Sequence, residues 1–380
     1  MLNPADMESL KKFIRELIES DATRLEELRR QTRDFRNRVH PIRPRTSTVV
    51  SIVAADGGDN SFEFDPYMAY VTRVVDSYGK VLFLDTLSPF SDIRALSKRH
   101  LEEETPLGRL MRDLGVEELW ELSPMIPSPE TPEAEIKPGW VKVYRDLGEW
   151  AALYDYLIRG NFPNHTLVVR DGLLRSKIFA NDFFPKMWDR IRENLRQVYE
   201  RDRRKVFVVG LAKRSKVLDR YHLAFFLENV LIQPGACYLE VPARIEREIY
   251  KWDEFSRREE GEEHKGEEVK MVQGALFLAK FGPGTFDPIW PVDVWLDHLE
   301  RGEVDEVFSY LLADAEAGFP KPFYPLCLQK AHEGANLAGF DMEIIRGLIM
   351  EAIRENMPKG QEGSIDAFRL YTGGREPREQ

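Results

Sequence analysis

Cysteine is nearly absent from this chain of 380 residues, which has two, Cys237 and Cys327. They lie far apart and form no C-x-x-C pair, which excludes a disulfide framework and a thiolate zinc site and makes the cytoplasm the expected compartment. Long apolar runs are also missing, since no stretch approaches the roughly 18 residues of a membrane span. The first residues, 1–6, show no charged lead followed by an apolar run, so no signal peptide is visible. We expect a soluble protein with no membrane contact.

An excess of positive charge is lacking too. The sequence has 54 Lys and Arg against 65 Asp and Glu, for a net charge of −11. Proteins that coat nucleic acid or anionic membrane with their whole surface capture it through clustered Lys and Arg, so that class is excluded, although a local basic groove is not. The sequence contains neither a P-loop nor a glycine-rich dinucleotide fingerprint after a strand, which argues against a P-loop motor and a dinucleotide enzyme.

The N-terminal segment predicts one long amphipathic helix. Apolar residues recur at helical spacing over residues 6–40, and Asp6 is available as its cap. Such a helix suits a subunit interface. Five arginines between Arg29 and Arg38 could meet phosphate, but a solvated helix face paired with neighbouring acids explains them equally well.

The next segment alternates strand and helix patterns. Three strand-like runs at residues 49–55, 68–75 and 80–85 are separated by the turn signals Gly57-Gly58 and Ser77–Gly79, which predicts an antiparallel meander. A helix, a strand, a helix and a strand then follow, which predicts parallel pairing, at about 145–158, 166–170, about 184–201 and 205–210. This order is that of the ribonuclease H-like fold. The predicted fold class is therefore α/β, with a ribonuclease H-like mixed sheet, flanking helices, a long N-terminal helix and insertions.

The rest of the sequence determines the predicted domain boundaries. Residues 251–268 read as a charged, solvated loop, residues 271–279 as another strand, and residues 326–356 as helical. A Pro-rich, polar stretch ends the mixed segment at 86–140, which reads as an excursion or loop. We predict an interface helix at 1–44, a ribonuclease H-like domain at 45–356 with insertions at about 86–140 and 215–320, and a flexible tail at 357–380.

Two carboxylates follow apolar strands. Asp56 comes after Val53-Ala-Ala and precedes two glycines, and Asp171 follows Leu167-Val-Val-Arg and precedes Gly172. Because Asp-Gly is a common turn dipeptide, either pair alone reads as a turn. Together, if the strands are neighbours, they would face one crevice, where like charges need a cation between them, and hard oxygen ligands favour Mg²⁺ or Mn²⁺.

Three further residues could join such a site. Glu149 lies in the helix before the Asp171 strand, where an acid can also simply complement the helix dipole, and Asp146 and Asp155 compete with it. His332 is a lone imidazole on an apolar helix, a type usually packed or solvated but able to ligate Mn²⁺ or move protons. Lys213 follows the last predicted strand, where a cation suits a scissile phosphate and an exposed basic turn is the alternative.

Taken in order, these pieces resemble the NurA nuclease family. The resemblance spans about residues 45–345 and rests on five segments, Val53–Gly58, the helix with Glu149, Leu167–Leu174, Val208–Ser215 and Tyr324–His332. It implies a ribonuclease H-like fold, and matches Asp56, Glu149, Asp171 and His332 to the family's metal ligands and Lys213 to its basic catalytic residue. One departure is Gly58, where the family's first motif usually has serine.

The function that the resemblance implies is specific. It implies a Mn²⁺-dependent deoxyribonuclease, with Mg²⁺ as the alternative ion, that cleaves DNA as a 5′→3′ exonuclease and single-strand endonuclease by a two-metal mechanism. The implied partners are single-stranded DNA and DNA ends, a second copy in a homodimer, and the HerA-type hexameric translocase in end processing, repair or phage defence. A catalytically silent adaptor subunit of a DNA translocase is the alternative, and a small-molecule α/β enzyme is a third hypothesis.

Overall fold

A computed structural model describes residues 3–45, 50–64, 67–250, 271–337 and 340–356 of the chain. For residues 50–64 and 67 it describes the backbone, not the side chains. Two predicted segments, the charged loop at 251–268 and the tail at 357–380, lie outside the described residues.

The described residues form an alternation of helices and strands. The strands are β1 Val39–Pro41, β2 Val50–Phe64, β3 Tyr67–Asp76, β4 Val81–Leu87, β5 His165–Asp171, β6 Val206–Leu211, β7 Cys237–Glu240, β8 Gly274–Lys280 and β9 Ile289–Trp295. The helices are α1 Pro4–Thr32, α2 Ile93–Glu102, α3 Pro106–Leu114, α4 Leu119–Leu122, α5 Trp140–Arg159, α6 Phe183–Asp202, α7 Lys216–Leu227, α8 Ala243–Ile249, α9 Leu296–Glu300, α10 Val304–Glu316, α11 Leu326–Ala335 and α12 Phe340–Glu355. Short 3-10 helices occupy Arg33–Arg38 and Glu133–Glu135.

One mixed sheet of nine strands joins these elements, in the order β1-β7-β8-β9-β6-β5-β2-β3-β4. Strands β2, β3 and β4 pair antiparallel, so the predicted meander is confirmed. Strand β5 pairs parallel with β2, and β6 pairs parallel with β5, as the alternation of strands and helices predicted. The α/β class with a mixed sheet and flanking helices is therefore confirmed.

Buried residues on both faces of the central strands place the core. In β5, Val168 packs with α5 and α6 on one face, whereas Leu167 and Val169 pack with α10 and α11 on the other. A third cluster joins α7 and α8 to β7 and β8. Strands buried on both faces read as continuous apolar runs, which is why the sequence identified β5 and β6 so readily.

The predicted turn at Gly57-Gly58 is wrong. Strand β2 continues through both glycines to Phe64, and its pairing with β3 runs without interruption from Ala55–Asp76 to Phe64–Tyr67. Glycine is a frequent turn residue because it tolerates unusual backbone angles, but it also fits an extended strand whose backbone is paired. Asp56 therefore lies within a long strand, at the point where pairing with β5 stops.

Both long predicted helices are shorter in the structure. The N-terminal helix ends at Thr32 instead of His40, and its cap is Asn3, whose Oδ1 accepts the Asp6 N–H at 2.8 Å, not Asp6. The predicted C-terminal helix at 326–356 is two helices, since α11 ends at Ala335 and α12 begins at Phe340.

The segments that the sequence placed outside the core pattern contribute regular structure. Residues 86–140 include helices α2 to α4, which supply buried side chains to the core cluster that includes α5. Residues 215–320 supply strands β7, β8 and β9 to the sheet. None of the helices in the described parts of the chain combines the length and hydropathy needed to cross a bilayer.

Candidate functional site

The two aspartates that follow the apolar runs occupy one level of neighbouring strands. Parallel pairing of β2 with β5 ends at Ala55 opposite Arg170, so Asp56 and Asp171 are the next residues on each strand. Residues in register on adjacent parallel strands share a face of the sheet and are separated by about 5 Å of strand spacing. The sequence predicted that both carboxylates would come to one edge of the sheet, and the backbone register places the two residues there.

Asp171 forms an ion pair with Lys213, which lies just after the neighbouring strand β6. The Lys213 ammonium lies 3.1 Å from Asp171 Oδ2, and Lys213 follows β6, which pairs with β5 up to Leu211 opposite Asp171. The Asp171 side chain is 16% exposed, whereas that of Lys213 is 40% exposed. The cation is therefore open to solvent on the outside of the partly buried carboxylate, which leaves it available to an anion.

Glu149, on α5, lies near the level of Asp171 but on the other face of the sheet. Its Oε2 lies 3.4 Å from Arg170 Nη2, and its Oε1 lies 3.5 Å from Arg145 Nε. The Arg170 guanidinium also stacks over the Trp150 ring, 4.1 Å from its centroid. Alternation along β5 puts Arg170 on the α5 face and Asp171 on the opposite one.

The structure separates the three acids of α5 by their partners. Asp155 accepts a bidentate pair of bonds from Arg109 at 2.6 and 2.7 Å, far along the helix from the strand end. Asp146 pairs with its neighbour Arg145 at 3.2 Å. Glu149 is the acid of the three that contacts a residue of β5, directly before Asp171.

His332 lies on a helix that packs against the sheet, but its side chain is on another side of that helix. Helix α11 lies against β2, β3 and β5. A Cβ added to Gly334 would stand 2.9 Å from Val75 Cγ2, and Val75 is the register partner of Asp56. His332 itself is two residues earlier, roughly 200° around the helix. Its side chain is exposed and lies 3.1 Å from the Asn336 amide nitrogen.

The described contacts bring the predicted residues together in pairs. Asp171 contacts Lys213, and Asp56 lies at the level of Asp171 by backbone register. Glu149 contacts Arg170 on the opposite face of the sheet, and the exposed His332 side chain is not brought to Asp171 by any described contact. Among the described side chains, which do not include that of Asp56, no group of three or more His, Cys, Asp and Glu is close enough to hold a metal ion. The donor chemistry still fits a hard divalent cation, since carboxylate oxygens dominate the set.

The sequence did not identify the buried residues that hold the turn after β5 in place. Asp293 of β9 is fully buried, accepts two bonds from Arg175 at 2.8 and 2.6 Å, and accepts the Leu174 N–H at 2.9 Å. Arg175 also donates to buried Glu246 at 3.0 Å. The signal was present as an acid within the apolar run Trp290-Pro-Val-Asp-Val-Trp295. An acid inside a buried strand indicates a charged partner, but does not identify it.

The fold of this chain is similar to solved structures of nucleases. The NurA nuclease from Sulfolobus solfataricus is similar over 94% of this chain and 99% of its own, at 14% identity and a TM-score of 0.37. NurA with manganese is similar over 93% and 100%, at 12% identity and a TM-score of 0.38. NurA bound to dAMP and manganese is similar over 93% and 99%, at 11% identity and a TM-score of 0.39.

No protein-family model and no curated protein matches the chain. Solved NurA structures are thus among the structures similar to it, as the order of the motifs predicted. Because the identities and TM-scores are low, the activity has to be inferred from the residues of the chain itself.

Proposed function

We propose that the chain is a metal-dependent DNA nuclease that hydrolyses phosphodiesters with a ribonuclease H-like domain. The observation that carries the proposal is the register of Asp56 and Asp171 on adjacent parallel strands, beside the Lys213 ammonium. The order of meander, helix, strand, helix and strand supports the finer fold assignment. The resemblance in motif order supports DNA as substrate, with 5′→3′ exonuclease and single-strand endonuclease activity.

Some of the proposed site residues bind metal ions, and Lys213 binds phosphate. Asp56, Asp171, Glu149 and His332 are the proposed ligands of two Mn²⁺ ions, with Mg²⁺ as the alternative. When bound, such a pair supplies an activated water and neutralises charge on the leaving oxygen. In the structure Lys213 offsets the charge of Asp171, and its exposed ammonium is positioned to bind a backbone phosphate. Arg170 and Arg145 orient Glu149 through its two oxygens.

The test compares isosteric variants of acids at the site and away from it. Asp56→Asn and Asp171→Asn should lower cleavage of labelled single-stranded DNA in Mn²⁺ by about 100-fold or more, since even residues that only support metal ligands are worth about 10- to 100-fold. Both variants should also weaken Mn²⁺ binding measured by titration calorimetry. Asp155→Asn, whose carboxylate pairs with Arg109, is the matched control and should keep metal binding and cleavage.

The results of these cleavage assays distinguish a nuclease from a catalytically silent adaptor. Unchanged cleavage by both Asp56→Asn and Asp171→Asn would reject the catalytic assignment. Glu149→Gln compared with Asp146→Asn decides which acid of α5 takes part. If the unmutated protein fails to cleave even with a hexameric translocase present, the catalytically silent adaptor becomes the better explanation.

Helix α1 is the proposed contact with a second copy and with a HerA-type translocase. Its first turns expose Leu10, Phe13 and Leu17, of which Phe13 is 65% exposed. Replacing these three residues by serine should leave the protein folded, because they do not belong to the core, and should lower the mass found by sedimentation velocity. An unchanged mass, with the unmutated protein dimeric, would place the dimer contact elsewhere.

A further inference from the structure

Two exposed phenylalanine rings form a stack at the surface. Phe286 lies in the loop between β8 and β9 and is 77% exposed, and Phe226 lies near the end of α7 and is 39% exposed. Their centroids are 5.7 Å apart and their planes differ by 5°. The His222 ring meets Phe226 edge-on, at 5.5 Å and 88°. Large apolar rings seldom remain this exposed without a partner, and the exposure of Phe286 leaves its outer face open.

The stack lies at the same edge of the sheet as the candidate site. Strand β9 runs antiparallel to β6, with Leu211 opposite Val292, and begins at Ile289. The loop that carries Phe286 therefore lies beyond the end of β6, where Lys213 also lies. Because β9 is two strands from β5, the loop is displaced from Asp171 by about 10 Å across the sheet. Val292 is at the level of Asp171 and β9 begins at Ile289, so the loop is also displaced by about 10 Å or more along the strands. One strand of DNA could reach both places.

The chain between the site and the stack is basic. From Lys213 to Arg220 it carries four cations, all exposed, against one acid, Asp219. The Arg214 side chain is 84% exposed, and its only described carboxylate partner, Asp219, is 3.7 Å away. In a protein with a net charge of −11, a run of this sign beside aromatic rings is a local exception. Nucleic-acid sites for single strands combine basic tracks for phosphates with aromatic faces for bases.

We infer that the ring pair of Phe286 and Phe226 is a stacking platform for an unpaired base of the DNA strand whose backbone follows Lys213, Arg214 and Lys216 to the site. This inference rests on the proposed function. Leu223 and Leu227 are exposed beside Phe226 and would also suit a protein partner. The base is favoured because a further ring can extend a stack of nearly parallel rings and because cores of protein interfaces are depleted in charge.

The experiment measures binding without cleavage. Fluorescence anisotropy in EDTA at low salt compares a labelled oligothymidylate with an abasic oligomer of equal length, using the full chain. The unmutated protein should bind the oligothymidylate more tightly. Phe286→Ala should lower that affinity by about 5- to 100-fold, the effect of about one stacked base, and leave the abasic affinity unchanged. Phe286→Trp should retain the preference, and Phe286→Leu, which keeps apolar area without a ring, should lose it.

Tyr199→Ala is the matched control, since Tyr199 is an exposed aromatic near the end of α6, at the opposite edge where β6 begins. It should keep the oligothymidylate affinity. Equal affinities of Phe286→Ala and unmutated protein for oligothymidylate would overturn the platform while leaving the nuclease proposal intact, provided that the unmutated protein cleaves. If Phe286→Ala has a smaller mass in sedimentation than the unmutated protein and an unchanged affinity for DNA, the two rings form a protein contact. That result would overturn the platform as well.

Discussion

At the scale of single residues, the position of Asp171 depends on the turn that comes directly after β5. Leu174 and Arg175 are both bonded to the buried carboxylate of Asp293, so this turn is tied to β9. Burial of the Arg175 guanidinium would lower its pKa, but Asp293 and Glu246 hold that pKa above the ordinary value. Buried charges need such complete pairing, because an unpaired one is strongly destabilising.

Gly210 tests whether this turn positions the catalytic acid. A Cβ at Gly210 would stand 2.4 Å from the Gly172 carbonyl oxygen and 2.9 Å from Leu174 N, so Gly210→Ala must displace the turn. We expect a loss of about 1–3 kcal/mol in unfolding free energy, as for overpacked cores, and about a 10- to 100-fold fall in cleavage. Urea denaturation and the DNA cleavage assay measure the two effects.

Gly347→Ala in α12 is the control for this prediction, since a Cβ there meets nothing within 4 Å. It should be neutral or stabilise the protein by up to about 1 kcal/mol, because alanine is the better helix former. Normal cleavage by Gly210→Ala would show that the turn tolerates displacement and that Asp171 is positioned by other contacts.

At the scale of elements, a buried polar cluster joins α2 and α5 to the edge strand β4. The Asp85 carboxylate, on β4, accepts hydrogen bonds from Arg99 at 2.6 Å and from the Tyr144 hydroxyl, and Tyr144 also bonds His100 at 2.6 Å. Burial alone would raise the pKa of Asp85, but hydrogen bonds from His100 and Tyr144 outweigh it and lower the pKa to about 2. The cluster stabilises the helical layer that carries Glu149.

This cluster predicts a specific acid sensitivity. Because the pKa of folded Asp85 lies below its ordinary value of 3.8, its contribution is fully present above about pH 4 and is lost as pH falls through about 2. The contribution is about 2 kcal/mol. Asp85→Asn should therefore be less stable at pH 6 and should lose less stability than the unmutated protein between pH 5 and 2, measured by urea denaturation.

Part of the acid sensitivity should survive in this variant. Burial would raise the pKa of Glu303, but hydrogen bonds from His298 and Lys205 outweigh it and lower that pKa to about 2, so Glu303 acts in the same pH window. An identical dependence of unfolding free energy on pH in Asp85→Asn and the unmutated protein would show that Asp85 has an ordinary pKa in the folded state.

At the scale of the whole molecule, charge limits how DNA is held. Two of the arginines near the end of α1 are neutralised, since Arg29 and Arg33 both pair with Glu228, at 2.8 and 3.2 Å. The alternative of a helix face paired with acids is therefore confirmed for these two. With a net charge of −11, the cations from Lys213 to Arg220 are left to act locally.

We therefore expect weak, salt-sensitive binding of single-stranded DNA by the isolated protein. If four cations contact phosphates, the logarithm of the affinity should fall with the logarithm of salt concentration with a slope of about −3. Removing two of them, in Arg214→Ala with Lys216→Ala, should reduce the slope by about 1.4. Arg33→Ala, in which a paired cation is lost, should leave it unchanged. Anisotropy titrations between low and moderate NaCl measure the slope, and tight, salt-resistant binding would contradict the expectation.

The sequence by itself determined the elements whose signal is local. Apolar periodicity predicted β5, α6 and β6 to within one residue of their observed ends and α5 without its first five residues, and alternation of strand and helix predicted the parallel pairing of the strands. It also gave the candidate acids, because residue type and position after a strand are local properties. It failed at Gly57-Gly58 and at the short strands β1 and β7, where few residues carry the pattern, and it also missed β9, α7 and α10.

Only the tertiary structure decided which residues meet. Strand β2 continues past Asp56 because β3 supplies hydrogen-bond partners along its length, and no local feature announces that partner. The pairing of Lys213 with Asp171, the contact of Glu149 with Arg170, and the buried bond of Asp293 to Arg175 each join residues 21 to 118 positions apart. Register and long-range pairing follow from the packing of the whole sheet, so they cannot be read from a sequence window.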